Sequence, residues 1–406
     1  MIKKISFLLL IISVFFISCG HQHSRDGIWR GELQVQDQQA PFLFELKGTQ
    51  SDSASATLIN GEEKVELTGV SLRGDTLLIP IDAYDAYITA IISNDKMEGR
   101  FIKNYIENDS GVPFRADFHT KNRFEVKDKQ PANNIEGKWD ILFISENGDT
   151  TKNVGIFKSA NGIVTGSVLT RSGDLRFLEG AYTKKGVELS AFSGLSPYYL
   201  QFTFSGANNF EGYFYTTRNK TKLVATRNDK AGLSDPYNIA KMKQGVSSLG
   251  FSLPNLEGRQ VSLQDERYKG KVVIVSILGS WCPNCLDEAE FLAPWYKANK
   301  QRGVEIIGLG FERKDDFEYS KATLNRLKTK YGIEYDVLFA GKADPEGVAK
   351  VLPEVENFSG YPTTLFIDKK GNVRKIHTGF TGPATGLFYE DFKKEFNVLI
   401  DSLLAE

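Results

Sequence analysis

Residues 271–285 read KVVIVSILGSWCPNC, and this sequence is the most informative one about the architecture of the carboxy-terminal part of the chain. The run 271–278 is apolar and rich in β-branched residues, as expected for a strand that is buried on both faces. From Pro283 to about residue 300 the apolar residues instead recur with helical spacing, which predicts an amphipathic helix. Cys282 and Cys285 are therefore expected where a buried strand is followed by the first turn of a helix.

The position of this Cys-x-x-Cys pair predicts redox chemistry. The first sulfur of such a pair lies near unpaired backbone N–H groups and the positive end of the helix dipole, which stabilise a thiolate. The thiolate is the form that attacks a disulfide. Pro283 suits the first helical turn because its missing N–H would have no partner there. We therefore predict that Cys282 is the nucleophile and that Cys285, one turn away, resolves the mixed disulfide.

The remainder of this region alternates between strand and helix patterns. Strands are predicted at 304–309, 335–340, 363–368 and 373–378, and helices at 316–330 and 386–404. The last two strands flank a Lys-Lys-Gly-Asn turn that is typical of a hairpin. Strands that alternate with helices in this way predict an α/β sheet.

Four short motifs in residues 246–406 match one known family. They are FSLP at 251–254, VSL at 261–263, WCPNC at 281–285 and GYPTT at 360–364. With these motifs the region resembles the thioredoxin family, and more closely its extracytoplasmic TlpA/ResA-type reductases. The resemblance implies a thioredoxin fold, a redox-active disulfide between Cys282 and Cys285, and a transmembrane thiol carrier as electron donor. No cofactor is expected.

The resemblance also assigns roles to residues around the dithiol. Pro362 matches the cis-proline of the family, whose loop lies against the active-site disulfide and can pair with a substrate backbone. Cis peptide bonds are largely confined to X–Pro positions, so this assignment is physically reasonable. The residues expected to contact substrate are Trp281, Pro283, Tyr361 and Pro362.

Glu288 matches an acidic position of ResA-type enzymes. One helical turn would place it beside Cys285, where it would act as a catalytic proton relay; a simple partner of the helix dipole is the alternative. Two features depart from the family pattern. Ser276 stands where cytoplasmic thioredoxin has a buried Asp, and Pro294 lies four residues after the usual kinking proline.

The amino-terminal half alternates apolar and polar residues in short runs. Phe42, Phe44 and Leu46 would share one face of a strand, and Leu200, Phe202 and Phe204 repeat the pattern. Such alternation favours half-buried antiparallel sheet. A Gly-x-Trp sequence begins two segments, at 27–29 and at 137–139. A Glu-Gly pair likewise occurs twice, at 98–99 and at 211–212.

These echoes predict a duplicated β unit. The first copy spans 27–128, the second 135–228, and a linker 229–245 leads to the thioredoxin-like domain at 246–406. Each copy is expected to be a small barrel or sandwich. The fold class is therefore multidomain, with a duplicated all-β half followed by an α/β domain. No catalytic constellation is found in the β half, so a role in partner recognition, dimerisation or spacing is its default interpretation.

The chain begins with a basic tetrapeptide and an apolar run, which predict a signal peptide over residues 1–18. The sequence Phe-Ile-Ser-Cys-Gly at 16–20 resembles a bacterial lipobox, which implies acylation of Cys19. An ordinary signal peptide or a membrane anchor, with an incidental cysteine, is the alternative. Residues 19–26 would then form a lipidated tether, and the protein would sit on the periplasmic face of the inner or outer membrane. Its partners would be the lipid bilayer and disulfide-bearing periplasmic proteins.

Composition narrows the classes of function. The 406 residues include 50 Lys and Arg against 51 Asp and Glu, which gives a net charge of −1 and no footprint for nucleic acid. Three cysteines are too few for a disulfide scaffold. Two thiolates without a Cys/His cluster do not complete a zinc or copper site.

Other interpretations of the pair stay open at this point. A structural disulfide is one. A thiol peroxidase is another. The family resemblance implies that such enzymes carry a Thr three residues before the attacking Cys, where this chain has Gly279. A third is a β-domain binding module with an accessory redox domain. The preferred prediction is a membrane-tethered oxidoreductase that reduces periplasmic disulfides, with the direction of electron flow set by a reduction potential that the sequence does not fix.

Overall fold

The computed structural model describes residues 25–51 and 53–406. The predicted signal peptide and Cys19 lie outside these residues. Within the described ranges, no helix combines the length and the apolar content required to cross a membrane. The described chain forms two large antiparallel β sheets followed by an α/β domain.

The first β unit is a nine-stranded antiparallel sheet in which neighbouring strands mostly follow one another along the chain. Its strands are β1 (Gly27–Val35), β2 (Gln38–Lys47), β3 (Ser55–Asn60), β4 (Glu63–Leu67), β5 (Ser71–Arg73), β6 (Thr76–Ile81), β7 (Ala86–Ser93), β8 (Lys96–Lys103) and β9 (Val112–Phe118). β1 pairs with both β2 and β9, whereas β4 and β5 are the unpaired edges. Phe42, Phe44 and Leu46 are buried together, as their alternation predicts.

The second β unit has the same plan but closes on itself. Its strands are β10 (Gly137–Ile144), β11 (Thr150–Ala160), β12 (Ile163–Thr170), β13 (Gly173–Asp174), β14 (Leu178–Thr183), β15 (Gly186–Ala191), β16 (Tyr198–Gly206), β17 (Asn209–Tyr215) and β18 (Lys220–Arg227). Pairing of β10 with β18 and of β11 with β12 completes an eight-stranded barrel, with β13 as a short addition. Closure leaves no free edge along the barrel wall.

Equivalent residues occupy equivalent places in the two units. Trp29 and Trp139 are both fully buried, and each indole N–H donates to the carbonyl four residues earlier in the chain. Gly99 and Gly212 both lie in the strand before the last, where a Cβ atom would come within 2.0 Å of a carbonyl oxygen on the neighbouring strand. The shared plan of the sheets and these matched positions agree with the predicted duplication.

The two units pack against each other through sheet faces that the alternation of apolar and polar residues alone would predict to be solvent-exposed. Tyr199 and Tyr215 of the barrel form a buried cluster with Val35 and Ala40 of the first unit. Between the units, the buried Arg123 guanidinium donates to the carbonyl oxygens of Ser190 and Ile59. These contacts explain why the outward-facing Tyr199 is only 1% exposed.

The carboxy-terminal domain has a five-stranded central sheet in the order β24-β23-β22-β26-β27. The strands of this part of the chain are β19 (Lys241–Met242), β20 (Ser252–Pro254), β21 (Gln260–Ser262), β22 (Val272–Leu278), β23 (Val304–Glu312), β24 (Asp336–Lys342), β25 (Val355–Glu356), β26 (Thr363–Ile367) and β27 (Val373–Thr378), and its helices are α1 (Pro283–Asn299), α2 (Phe317–Tyr331), α3 (Pro345–Val351) and α4 (Leu387–Ala405). β22, β23 and β24 run parallel, while β26 and β27 form the predicted hairpin. Every residue of β22 is buried, as its composition predicts.

Two features connect this domain to the β half. Lys241–Met242, within the predicted linker, pairs with Val355–Glu356. One apolar cluster also runs from Phe42 and Phe101 of the first sheet to Leu286 and Leu327 of helices α1 and α2. A cavity of about 590 Å³ lies beside this junction. The carboxy-terminal domain thus covers part of the apolar face of the open first sheet.

Substitution of the matched glycines, Gly99 and Gly212, tests the close approach of the strands at these positions. Gly99→Ala and Gly212→Ala should each lower the free energy of unfolding by about 1–3 kcal/mol, because the new Cβ atom forces two paired strands apart. Gly206→Ala is the matched control, since a Cβ atom there meets nothing within 4 Å. Urea denaturation of the three variants measures the effect. Equal losses at all three positions would contradict the close approach described above.

Candidate active site

The dithiol lies at the junction of β22 and α1. Cys282 is the N-cap of the helix, and its sulfur accepts a hydrogen bond from the backbone N–H of Cys285 at 3.4 Å. Pro283 occupies the first helical turn, where its lack of an N–H leaves no donor unsatisfied. Both cysteines are free thiols, with Cys282 5% exposed and Cys285 1% exposed. Of the two, Cys282 is thus the residue nearer to the surface.

The loop before β26 lies against the outer sulfur. The Cys282 thiol donates to the carbonyl oxygen of Tyr361 at 3.6 Å, and the Tyr361–Pro362 peptide bond is cis. The Tyr361 ring contacts the Trp281 ring edge to face at 5.4 Å. Trp281 in turn donates its indole N–H to the carbonyl of Phe311. The structure thus brings together Trp281, Cys282, Tyr361 and Pro362, as the sequence motifs predict.

Glu288 lies on the inner side of the dithiol. Its carboxyl accepts hydrogen bonds from the hydroxyls of Ser276 and Thr364, each at 2.5 Å. Burial raises the pKa of Glu288 to about 7, against the opposing effect of these two hydrogen bonds. Burial is the main cause that raises the pKa of the Cys285 thiol, and the neighbouring Cys282 raises it further. The charge of Glu288 adds to this rise. Carboxyl and thiol therefore interact, and each has its charged form disfavoured.

Ser276 and Thr364 have roles that sequence reasoning missed. Ser276 was notable in the sequence only because an Asp was absent, yet its hydroxyl holds the carboxyl of Glu288 in place. The acidic group of this site thus comes from helix α1, whereas the strand supplies the hydroxyl. A polar residue inside an otherwise apolar buried strand was the available signal, because buried hydroxyls nearly always have a partner.

Glu312 is a second buried carboxyl that the sequence analysis did not single out. It lies at the end of β23 and accepts both the backbone N–H and the hydroxyl of Ser280, each at 2.8 Å. Burial raises its pKa to about 7. Since Ser280 is two residues before Cys282, Glu312 fixes the loop that leads into the dithiol.

The β half also reaches the dithiol. The Asn284 amide, between the two cysteines, donates to the carbonyl of Ser172, and its oxygen accepts the backbone N–H of Asp174, both at 3.4 Å. From the first unit, the Tyr105 ring lies 3.5 Å from the guanidinium of Arg313, which also faces the Trp281 ring at 5.4 Å. The half of the chain without catalytic motifs thus forms walls around the site.

Other candidate ligands do not assemble. Among residues 25–51 and 53–406, no three His, Cys, Asp or Glu side chains are grouped so that they would hold a metal ion. His377 is buried, and its ring nitrogen pairs with the carbonyl of Gly379. Burial lowers the pKa of His377 to about 4, so the ring is neutral near pH 7.

A dithiol of unequal exposure, held at a helix start beside a cis-proline loop, defines a thioredoxin-fold thiol–disulfide oxidoreductase. The model of the AhpC/TSA family matches residues 246–376. The thiol-disulfide oxidoreductase ResA of Bacillus subtilis is 28% identical over 138 residues, which cover 34% of this chain and 69% of the relative. ResA of Bacillus thuringiensis subsp. konkukian is 33% identical over 134 residues, covering 33% and 68%. The chain belongs to the ResA family of thiol–disulfide oxidoreductases through this carboxy-terminal part.

This chain is also similar to a solved structure. A thiol:disulfide interchange protein of the thioredoxin family from Chlorobium tepidum is 23% identical, and the alignment covers 39% of this chain and 96% of that protein with a TM-score of 0.29. The sequence relatives match only the carboxy-terminal third of the chain.

The buried Glu288 carboxyl predicts a pH-dependent stability. Its pKa in the folded protein, about 7, lies above the value of 4.5 for an unperturbed glutamate, so the folded state binds more protons between these values. The free energy of unfolding should therefore fall as the pH rises through this window. Glu288→Gln should remove its share of the slope, up to about 1.4 kcal/mol per pH unit.

Urea denaturation between about pH 5 and 8 measures this share as the difference between wild type and variant. Glu290→Gln, on an exposed residue of the same helix, is the control. A difference between wild type and Glu288→Gln that stays constant with pH would show that Glu288 ionises like an exposed glutamate.

Proposed function

We propose that this oxidoreductase is a lipid-anchored reductase of protein disulfides on the periplasmic face of the cell envelope. The observation that carries the proposal is the contact between the Cys282 sulfur and the Tyr361 carbonyl. This contact supports the proposal, because a nucleophile at Cys282 would lie next to a backbone group that can pair with an incoming polypeptide. Extracytoplasmic location and the lipid anchor are supported by the leader sequence and the lipobox around Cys19.

The first step forms a mixed disulfide. The Cys282 thiolate attacks one sulfur of the substrate disulfide, a bond forms between the two sulfurs, and the other substrate sulfur leaves as a thiolate that takes up a proton. Backbone N–H groups at the start of α1 stabilise the negative charge on the sulfur of Cys282 before attack. Trp281 and the loop of Tyr361 and Pro362 border the approach to this sulfur.

The second step releases the reduced substrate. Cys285 loses its proton to the Glu288 carboxylate, and its thiolate attacks the sulfur of Cys282. The second substrate sulfur leaves, and a disulfide remains between Cys282 and Cys285. Two electrons have then passed from the enzyme dithiol to the substrate. A carboxyl with a pKa of about 7 is suited to accept and return this proton near neutral pH.

The cycle needs a source of electrons. An oxidising compartment does not maintain a reduced thiol pool, so the Cys282–Cys285 disulfide must be reduced by a partner. A transmembrane thiol carrier, as the family resemblance implies, would supply these electrons from inside the cell. An anchor at Cys19 would keep the dithiol close to such a carrier.

Trapping separates the roles of the two sulfurs. Cys285→Ser should accumulate mixed disulfides with its partners, because the resolving thiol is gone, whereas Cys282→Ser should form none. Both variants should lose disulfide reductase activity by at least about a hundredfold. Non-reducing gels and mass spectrometry of envelope proteins identify the adducts. Equal trapping by both variants would refute the assignment of Cys282 as nucleophile.

The anchor is tested independently. In cells that express the full chain, the wild type should take up labelled fatty acid and sediment with membranes, because several acyl chains together bind a bilayer firmly. Cys19→Ser should lose both properties. Cys282→Ser serves as the control and should keep them. A wild-type protein without label, or a Cys19→Ser protein that is still acylated, would exclude lipidation at Cys19.

A further inference from the structure

The second β unit contributes a loop that lies over the dithiol. This barrel loop (residues 171–176) follows β12 and contains β13. Its Ser172 and Asp174 meet the Asn284 side chain, and the Asp174 carboxylate accepts the backbone N–H of Gly382 at 2.9 Å. The loop therefore contacts both the Cys-x-x-Cys turn and a second segment of the carboxy-terminal domain.

The barrel loop fits its surroundings closely. A Cβ atom added to Gly173 would lie 2.1 Å from the Asn284 amide nitrogen, and one added to Gly379 would lie 2.6 Å from the carbonyl oxygen of Arg171. A Cβ atom on Gly360, just before Tyr361, would lie 3.5 Å from the side chain of Ser172. The loop thus packs closely against the Cys-x-x-Cys turn, the segment before Tyr361 and the segment at Gly379.

A buried charge cluster holds the loop in place. The Arg176 guanidinium donates to Asp287 of α1 at 2.8 Å, to the carbonyl of Pro283 at 3.2 Å, and to Glu63 of the first β unit. All three charged side chains are largely buried. Because removal of one partner from such a pair leaves an uncompensated buried charge, displacement of the loop is unfavourable.

The opposite side of the site is also walled. Tyr105 of the first β unit stacks on Arg313, which faces Trp281. Cys282 itself is only 5% exposed. A disulfide can react only if one of its sulfurs reaches this atom.

We propose that the barrel loop determines the substrate class of the dithiol by size. Disulfides on short or extended peptides reach Cys282, whereas disulfides on the surface of folded proteins are excluded by the loop. This inference rests on the proposed function and narrows it to unfolded or small disulfide-bearing chains. The β half, in this view, acts as a selectivity filter for the carboxy-terminal domain.

The experiment compares two substrates with one leaving group. The first is the mixed disulfide of glutathione with 2-nitro-5-thiobenzoate, and the second carries the same group on a surface cysteine of a folded carrier protein. Attack of the Cys282 thiolate and resolution by Cys285 release the coloured thiolate from either one, while the enzyme becomes a disulfide. Dithiothreitol, a small dithiol, calibrates how strongly the carrier itself slows the exchange.

The full-length wild type should prefer the peptide substrate by at least about tenfold beyond the preference of dithiothreitol. Asp174→Ala removes the acceptor for Gly382 and should reduce this excess preference severalfold, and Gly173→Val, which crowds Asn284, should act in the same direction. Asp149→Ala, on an exposed hairpin of the same barrel, should keep the wild-type ratio. A wild-type ratio equal to that of dithiothreitol would overturn the inference.

Alkylation gives a readout that does not depend on turnover. N-ethylmaleimide should modify Cys282 of the reduced wild type, whereas a maleimide linked to the folded carrier should react more slowly by at least about tenfold after calibration with glutathione. Peptide mapping distinguishes Cys282 from the other cysteines. If neither disulfide is reduced but this size dependence holds, the proposed function fails and the inference about access stands. Equal calibrated rates would overturn the inference even if an oxidoreductase activity is found.

Discussion

The start of helix α1 at Cys282 is the constraint on which the chemistry of this protein depends. Because β22 is buried along its whole length, the chain leaves the sheet at a fixed point, and Glu312 then holds the connecting loop through Ser280. These contacts place one sulfur at the helix end and the other inside the first turn. Burial thereby distinguishes the two cysteines: Cys282 is 5% exposed and contacts the Tyr361 carbonyl, whereas Cys285 is 1% exposed inside the helix.

Two carboxyl groups next to the dithiol remain in the protein interior at a cost in stability. Glu288 and Glu312 each have a pKa raised to about 7 by burial, and hydroxyl groups offset only part of this cost. Buried groups with shifted pKa values are concentrated at functional sites. Glu288 lies on the inner side of the dithiol, where its charge raises the pKa of Cys285, whereas Glu312 positions the loop before Cys282. Glu288 and Glu312 thus have similarly raised pKa values but contact different parts of the site.

Local sequence signals predicted most elements but not their assembly. The helix at Pro283 and the strands beside it follow from composition and period, and Trp29 and Trp139 mark the two β units because each opens a strand. Closure of only the second sheet was not predictable, since both sheets pair their first and last strands and differ in whether consecutive strands pair: β11 pairs with β12, whereas β4 does not pair with β5. The contact of Asn284 with Ser172 joins residues 112 positions apart and leaves no periodic pattern. Glu312 ends an apolar strand and reads as a solvent-facing residue, which is why its burial was missed.

The gap between β4 and β5 in the first sheet has a consequence for biosynthesis. Strands 27–118 leave the ribosome well before helix α2, whose Leu327 joins the same apolar cluster. During that interval the sheet has two open edges and an incompletely covered core, the kind of surface that invites association between nascent chains. The second unit, which closes by pairing within itself, has no such waiting period. Folding during synthesis therefore favours slow, assisted maturation of the first unit and rapid maturation of the second.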